Sequence, residues 1–209
     1  RIIRHLNQRS EMLSGISHDL RTPLTRIKLK LAFIEDKKIS EKLSDDVEEM
    51  EKMLNEYLQF ASSTSSEKTN NFNLSDLILS TLNKYENQIL KHKIQKNIFF
   101  NGKKNLIVRC LDNIINNAIK YAENIEISLS KINKNLIILV EDDGPGIPQE
   151  EIENVFKPFY KINKGRGDSK SSVGLGLSIA SDVVRSHGGN IALEKSKFDG
   201  LKVKISLPC

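Results

Sequence analysis

Two cysteines, Cys110 and Cys209, are too few among 209 residues for a disulfide framework or a thiolate zinc site. Cys110 falls in an apolar helical pattern and reads as a small core residue, so a reducing compartment is the simplest setting. No apolar run approaches the roughly 18 residues of a membrane span, and no signal peptide is recognisable. Lysine is scattered among acids rather than gathered into a basic stripe with aromatics, which leaves nucleic-acid binding unsupported. The net charge of +5 suits a polyanionic small ligand at least as well. No GxxxxGK[ST] run occurs, which excludes a P-loop. Met is missing at position 1, where the chain opens inside a helical pattern (Ile2, Ile3, Leu6). The chain is therefore expected to be cut from a longer protein.

With 38% apolar and 28% charged residues, the chain suits one large or two small domains with a real core. Leu13, Leu20, Ile27 and Ile34 recur by sevens, and Ile16, Leu24 and Leu31 join them in one apolar seam. The spacing predicts a first helix over 1–36. His18 lies off that seam and should face water, with Thr22 four residues on along the same face. Pro23 cannot donate to the helix ladder and predicts a kink just past the histidine. A solvated surface histidine explains the exposure but not the mid-helix proline. The sharper reading is a nucleophile, because imidazole near neutral pH has a free nitrogen lone pair.

Lys37–Ser40 reads as a polar connection with Ser40 at the helix cap. Leu43, Val47, Met50, Leu54, Tyr57 and Ala61 then predict a second helix. Two such helices form a hairpin that cannot cover both seams. Pairing with a second copy as a four-helix bundle is expected; the bland alternative is a hairpin packed on the rest of the chain. Ser62–Asn71 is polar and aperiodic, a linker. The expected domains are 1–64, a linker at 65–71, and 72–209.

Beyond the linker, Leu74, Leu77, Ile78, Leu82, Tyr85 and Ile89 predict a helix, and 94–100 a strand. Residues 104–122 predict a helix with Leu106, Ile107, Cys110, Leu111, Ile114, Ile115 and Ala118 inward. Strands follow over 125–129 and 136–140, turning at Asn133–Asn135. A short helix over 148–155, a mobile basic segment over 160–173, a helix over 174–187 and a hairpin around Asp199-Gly200 complete the chain. This order predicts an α+β protein: a helical hairpin followed by an α/β sandwich.

Three clusters in the second domain carry chemistry. Asp142-Asp143-Gly144-Pro145-Gly146 follows an apolar strand. A strand-end carboxylate accepts from an amino group, and the glycines allow close approach, though the same run is also an ordinary turn. Gly174-Leu175-Gly176-Leu177 opens a helix, where free backbone N–H groups suit phosphate. Asn113 and Asn117 share a helix face, with Lys120 and Tyr121 one turn on. Amide oxygens suit Mg2+ and Lys120 suits phosphate, although a polar helix face needs no such use.

In order, SHDLRTPL, DNIINNAIKY, DDGPGI, FKPF, GLGL and HGG resemble the sensor histidine kinases of two-component systems over nearly the whole chain. SHDLRTPLTRI resembles their EnvZ-like osmosensor branch. The resemblance implies a dimeric phosphotransfer hairpin and an ATP-binding domain of the gyrase and Hsp90 type. It implies ATP and Mg2+ as ligands. It also implies autophosphorylation of His18 and transfer to an aspartate of an OmpR-like response regulator, with phosphatase activity toward that partner. His18 matches the phosphoacceptor, Asp19 the acid that takes its proton, and Thr22 the residue positioning water for dephosphorylation. Asn117 matches the Mg2+ ligand, with Asn113 in the same box; Lys120 and Tyr121 match phosphate and nucleoside contacts. Asp142 matches the carboxylate for the adenine amino group, with Gly144 and Gly146 shaping its pocket. Phe156 and Phe159 match aromatics at the base of a mobile lid, and Gly174, Leu175, Gly176 and Leu177 the second glycine box. His187 receives no catalytic role.

That glycine box ordinarily begins two residues earlier with another glycine, where this chain has Ser172. The lid base meeting the γ-phosphate stays open among Lys161, Lys164, Arg166 and Lys170. The resemblance further implies the cytoplasmic portion of a bacterial inner-membrane sensor, attached through segments outside this chain. A kinase-silent scaffold, a phosphatase-only module or an ATP-driven clamp are the competing readings.

Overall fold

The computed structural model describes residues 22–34, 36–62, 67–85, 90–162 and 174–209, excepting the side chains of 49, 52, 53, 55–62 and 90. The described residues fall into two compact units that divide before Glu67. Among them no helix is long and apolar enough to cross a membrane.

The first unit pairs α1 (22–31 in its described part) with α2 (Lys37–Ser62). Leu24 and Leu31 bury against Val47 and Leu54, and Lys28 Nζ reaches Glu51 Oε2 at 2.8 Å. Three expectations change here. The first helix ends at Leu31, not near 36. The cap of α2 is Asp36, whose Oδ1 accepts from Lys38 N (3.0 Å) and Ile39 N (3.2 Å). Lys37–Ser40 is thus the first turn of α2 rather than the link, and Ser40 Oγ instead donates to Leu31 O at 2.8 Å. A carboxylate outcompetes a hydroxyl as a cap for positively polarised N–H groups. As expected of two helices alone, the seams are not fully covered: Ile27, Ile34, Leu43 and Met50 stay 36–53% exposed, because one helix partner covers only one side. Leu13, Ile16, Leu20 and the kink expected at Pro23, which needs the turn before it, lie outside the described residues.

In the second unit a five-stranded sheet runs in the order β2-β4-β5-β7-β6. These strands are β2 (Leu90–Ile94), β4 (Ile125–Ile132), β5 (Asn135–Asp142), β6 (Asn190–Lys195) and β7 (Leu201–Pro208). Only β2 and β4 are parallel. Helices α3 (Leu74–Leu82), α4 (Lys104–Tyr121) and α5 (Gly176–Ser186) cover one face. The register aligns Ile127, Val140 and Val203, then Leu129, Ile138 and Ile205, beneath them. Ile114 and Ile115 of α4 fill the interface from above, and every position expected inward on α4 is buried. Each fully buried Leu or Ile stabilises by about 1.5–3 kcal/mol.

A separate ribbon joins β1 (Asn70–Asn73) to β3 (Phe99–Gly102). Asn70 and Asn71, read as linker, are therefore strand. The single strand expected over 94–100 is two, split between two sheets by a turn with Asn97 at φ 57°. Ser75 holds that turn: its hydroxyl donates to Gln95 O (2.7 Å) and accepts from Ile98 N (3.0 Å). No glycine marks the break. Upstream of β1, the Glu67 carboxylate accepts from Asn105 N (2.8 Å) and Leu106 N (3.3 Å), capping α4 from 38 positions away. The helix expected over 148–155 is two 3-10 turns, Gln149–Glu151 and Asn154–Phe156. The one expected through Ile89 becomes a 3-10 turn after Leu82 (Asn83–Tyr85).

Candidate functional site

Asp142 ends β5 and is 5% exposed. Strand alternation turns it toward the helix-covered face, in register with Ile125. Its Oδ1 accepts from Gly144 N (2.9 Å) and Leu201 N (3.0 Å), which fixes the carboxylate plane and leaves Oδ2 for an outside donor. Burial pushes its pKa up, while the two backbone bonds pull the other way. A β-carbon on Gly144 would lie 2.9 Å from Tyr121 O, so glycine lets the end of α4 close on this turn. A β-carbon on Gly200 would collide with Asp142 O and Oδ1 and with Gly144 N. Gly146 takes φ 65°. Asp143, named in the motif without a role, clamps the chain leaving α4. Its Oδ1 accepts from Glu123 N and Asn124 N, both at 2.9 Å, and its Oδ2 from Asn124 Nδ2 at 2.6 Å. The bonds from Asn124 hold Asp143 below the usual carboxylate range.

Asn113 and Asn117 are half-buried on one face of α4. Asn113 Nδ2 donates to Arg109 O (2.9 Å), which orients its Oδ1. A β-carbon on Gly176 would lie 3.4 Å from Asn113 Oδ1 and 3.8 Å from Asn117 Nδ2. The first turn of α5 is thereby seated against both amides. No side chain caps that turn, and Leu175, 1% exposed, anchors it, with Leu177 half-buried. The helix starts at Gly176, two residues later than expected. Gly174 instead takes φ 77°, and its carbonyl accepts from Phe159 N (3.0 Å). A β-carbon there would sit 2.7 Å from Tyr160 O.

Phe159 is 56% exposed at φ 65°, and Phe156 is half-buried. Lys161 is exposed. Lys164, Arg166, Lys170 and Ser172 lie outside the described residues, as does most of the segment expected to be mobile. Lys120 Nζ stands 4.8 Å from the ring centroid of Tyr121, whose side is half exposed. The two glycine clusters, the asparagine pair and Asp142 thus gather around the C-terminal part of α4. Thr22 is exposed on α1, while His18 and Asp19 lie outside the described residues.

The sequence reading missed Gly200 and Leu201 as parts of the Asp142 pocket; the only signal was a turn dipeptide. It also left His187 without a use. Its Nε2 accepts from Lys103 N (2.9 Å), which assigns the ring proton to Nδ1, 2.7 Å from Val183 O. Its ring centroid lies 5.7 Å from that of Phe100. His187 therefore joins the start of α4 to the end of α5.

An amide-oxygen pair with few other ligands fits Mg2+, which keeps waters and takes ligands from phosphates rather than needing a protein cage. Among the described residues no cluster of three His, Cys, Asp or Glu competes for a metal.

Comparison with known proteins finds two families matched along the chain. Residues 8–66 match the His Kinase A (phospho-acceptor) domain. Residues 102–209 match the histidine kinase-, DNA gyrase B-, and HSP90-like ATPase family. The sensor histidine kinase GtrS of Pseudomonas aeruginosa is 33% identical over all of this chain, and the sensor histidine kinase CpxA of Escherichia coli 29% over 98%. The chain spans 44% and 48% of those relatives' lengths. These relatives support sensor kinases at large and the osmosensor branch only loosely. The catalytic domain of histidine kinase ThkA, 25% identical, superposes with a TM-score of 0.59 over 68% of this chain and 95% of its own. Full-length ShkA, solved with AMPPNP, shares the fold at a TM-score of 0.71 over 95% of this chain and 45% of its own, with 19% identity. The chain belongs to the sensor histidine kinases, joining a His Kinase A (phospho-acceptor) domain to an ATPase domain of the histidine kinase, DNA gyrase B and HSP90 type.

Proposed function

We propose that this chain is the kinase core of a two-component sensor, which phosphorylates His18 from ATP and passes the phosphoryl group to an aspartate of a response regulator. The observation that carries the reading is the seating of Gly176 against Asn113 and Asn117, which puts an uncapped helix start beside two side-chain amides, with Asn113 Oδ1 the nearer. Asp142 Oδ2 accepts the adenine amino group, and Gly146 leaves room for the ring. Tyr121 lines the nucleoside, and Lys120 with the first turn of α5 meets the phosphates. Asn117, with Asn113 beside it, would hold Mg2+, which when bound neutralises phosphate charge. Phe156, Phe159 and Gly174 form the described base of the lid, with Lys161 among the bases open to the γ-phosphate.

A ring nitrogen of His18 attacks the γ-phosphorus, the bond to the ADP oxygen breaks, and Asp19 takes the ring proton. The loose transition state leaves the protein mainly positioning and charge neutralisation to supply. The test is label transfer from γ-labelled ATP to an acid-labile phosphohistidine. ATP hydrolysis without that product would favour a clamp, and neither would favour a scaffold.

Two further readings belong here. The exposed seam positions Ile27, Ile34, Leu43 and Met50 are apolar surface of a kind helices bury against helices, so the hairpin pairs with a second copy. Light scattering at micromolar concentration should give twice the 23.7 kDa of one chain, and a single-chain mass would count against pairing. Thr22, exposed and four positions after His18 in the sequence, positions water for dephosphorylating the regulator. Thr22→Ala should lose that phosphatase activity by about tenfold or more while keeping autophosphorylation; equal loss of both would make Thr22 structural. The regulator is of the OmpR-like receiver class, and the parent is an inner-membrane sensor with this part in the cytoplasm.

A further inference from the structure

Glu126 and Glu141 stand directly opposite each other on β4 and β5. Both are at most 9% exposed, and alternation puts them on the sheet face away from the helices. Like charges at that cross-strand spacing repel, and burial strengthens the repulsion, so the pair needs a cation. Lys197 supplies it. Its Nζ bonds Glu126 Oε1 and lies 3.4 Å from Glu141 Oε2. Lys93 on β2 adds a contact at 3.2 Å to Glu126 Oε2. The bond from Lys197 is the main cause that holds Glu126 below the usual carboxylate range.

Lys197 does not belong to either strand. It sits in the β6–β7 turn, whose Gly200 packs on Asp142 and whose next residue, Leu201, donates to Asp142 Oδ1. Glu141 and Asp142 are neighbours on β5 and point to opposite faces. The turn therefore grips the end of β5 twice: Lys197 holds Glu141 on one face and Leu201 holds Asp142 on the other. Lys197 N, 3.5 Å from Glu141 Oε1, reinforces the first grip.

We propose that Lys197 is a positioning residue for base selectivity: by tying the β6–β7 turn to Glu126 and Glu141, it keeps the Leu201 N–H on Asp142 and so keeps Oδ2 aimed at the purine. The inference rests on the reading of Asp142 as acceptor for the adenine amino group. Without the tie, the turn drifts, Oδ1 loses one of its two donors, and the carboxylate rotates. A base with an oxo group at that place offers an acceptor to an acceptor, so discrimination against it depends on the carboxylate staying put.

The experiment measures ATP and ITP affinity by equilibrium dialysis on the full chain. Wild type should prefer ATP. Lys197→Met should cut the ATP-to-ITP preference by about tenfold, the worth of one hydrogen bond to a charged group. Lys197→Arg should keep it. An unchanged ratio in Lys197→Met, with both affinities or only the melting temperature lowered, overturns the proposal and makes Lys197 merely structural. A wild type without preference overturns the Asp142 reading and this proposal with it. Should Lys197→Met not fold, Lys197→Gln combined with Glu126→Gln and Glu141→Gln removes the repulsion along with the tie. That variant should fold and still lose the preference; a wild-type ratio in it also overturns the proposal.

Discussion

His18→Ala is expected to abolish autophosphorylation completely while ATP still binds with wild-type affinity. The residues read as the nucleotide site, Asn113, Asn117, Asp142 and Gly176, all belong to the unit that begins at Glu67. His18 belongs to the matched phospho-acceptor domain. Removing the imidazole therefore removes the nucleophile without touching a group that holds the nucleotide. Positioning and charge neutralisation do not replace a missing attacking atom, so the loss is total rather than a few powers of ten. The measurement is incorporation of label from γ-labelled ATP, with acid lability identifying the phosphoramidate and dialysis measuring ATP affinity in parallel. Acid-labile label on the mutant would remove His18 from its role. Lost ATP affinity would instead mean that the histidine supports the fold.

Asn117→Ala is expected to weaken Mg2+-ATP binding by about a hundredfold or more. Loss of groups that merely support metal ligands already costs about 10–100-fold, and a ligand itself should cost at least as much. The neighbouring amide cannot simply take over, because Asn113 Nδ2 is committed to Arg109 O and its oxygen is oriented by that bond. Binding measured with a chelator present should differ much less between mutant and wild type. Affinity for Mg2+-ATP unchanged in the mutant would refute the ligand role. Asn117 is half-buried on the side of α4 that meets Gly176, off the stripe of buried apolar residues, so its truncation leaves the apolar packing of Ile114, Ile115 and Ala118 intact. Thermal stability should accordingly stay near wild type.

Legibility followed the range of the interactions. Helix α4 was readable to within one residue, including its seven inward positions, because periodicity is local and its buried face needs no partner to be recognised. The β6–β7 hairpin was readable from Asp199-Gly200, since turn chemistry is local too. The break after Ile94 was not readable. Asn97 takes the left-handed conformation without a glycine to announce it, and Ser75, more than twenty positions earlier, satisfies the freed backbone groups. The hairpin seam was readable only in part. Spacing places Ile27 and Leu31 on one stripe, but only packing says that Leu31 buries against α2 while Ile27 stays exposed.

The motifs and their order identified the family and supplied the side chains proposed to carry its chemistry, because hydrogen-bonding groups and glycines declare themselves by residue type. The amino-acid order alone could also divide a helical hairpin from an α/β sandwich, through the change of period near residue 70. What tertiary structure decided is how those side chains are held. Asp142 is aimed by a backbone N–H 59 positions away, α4 is capped by Glu67 from before the first strand, and His187 bonds the backbone at Lys103. Backbone donors have almost no residue-type signature, and any residue but proline at 201 would supply the same N–H. Only folding, which brings the β6–β7 turn onto the end of β5, makes that donor part of the site.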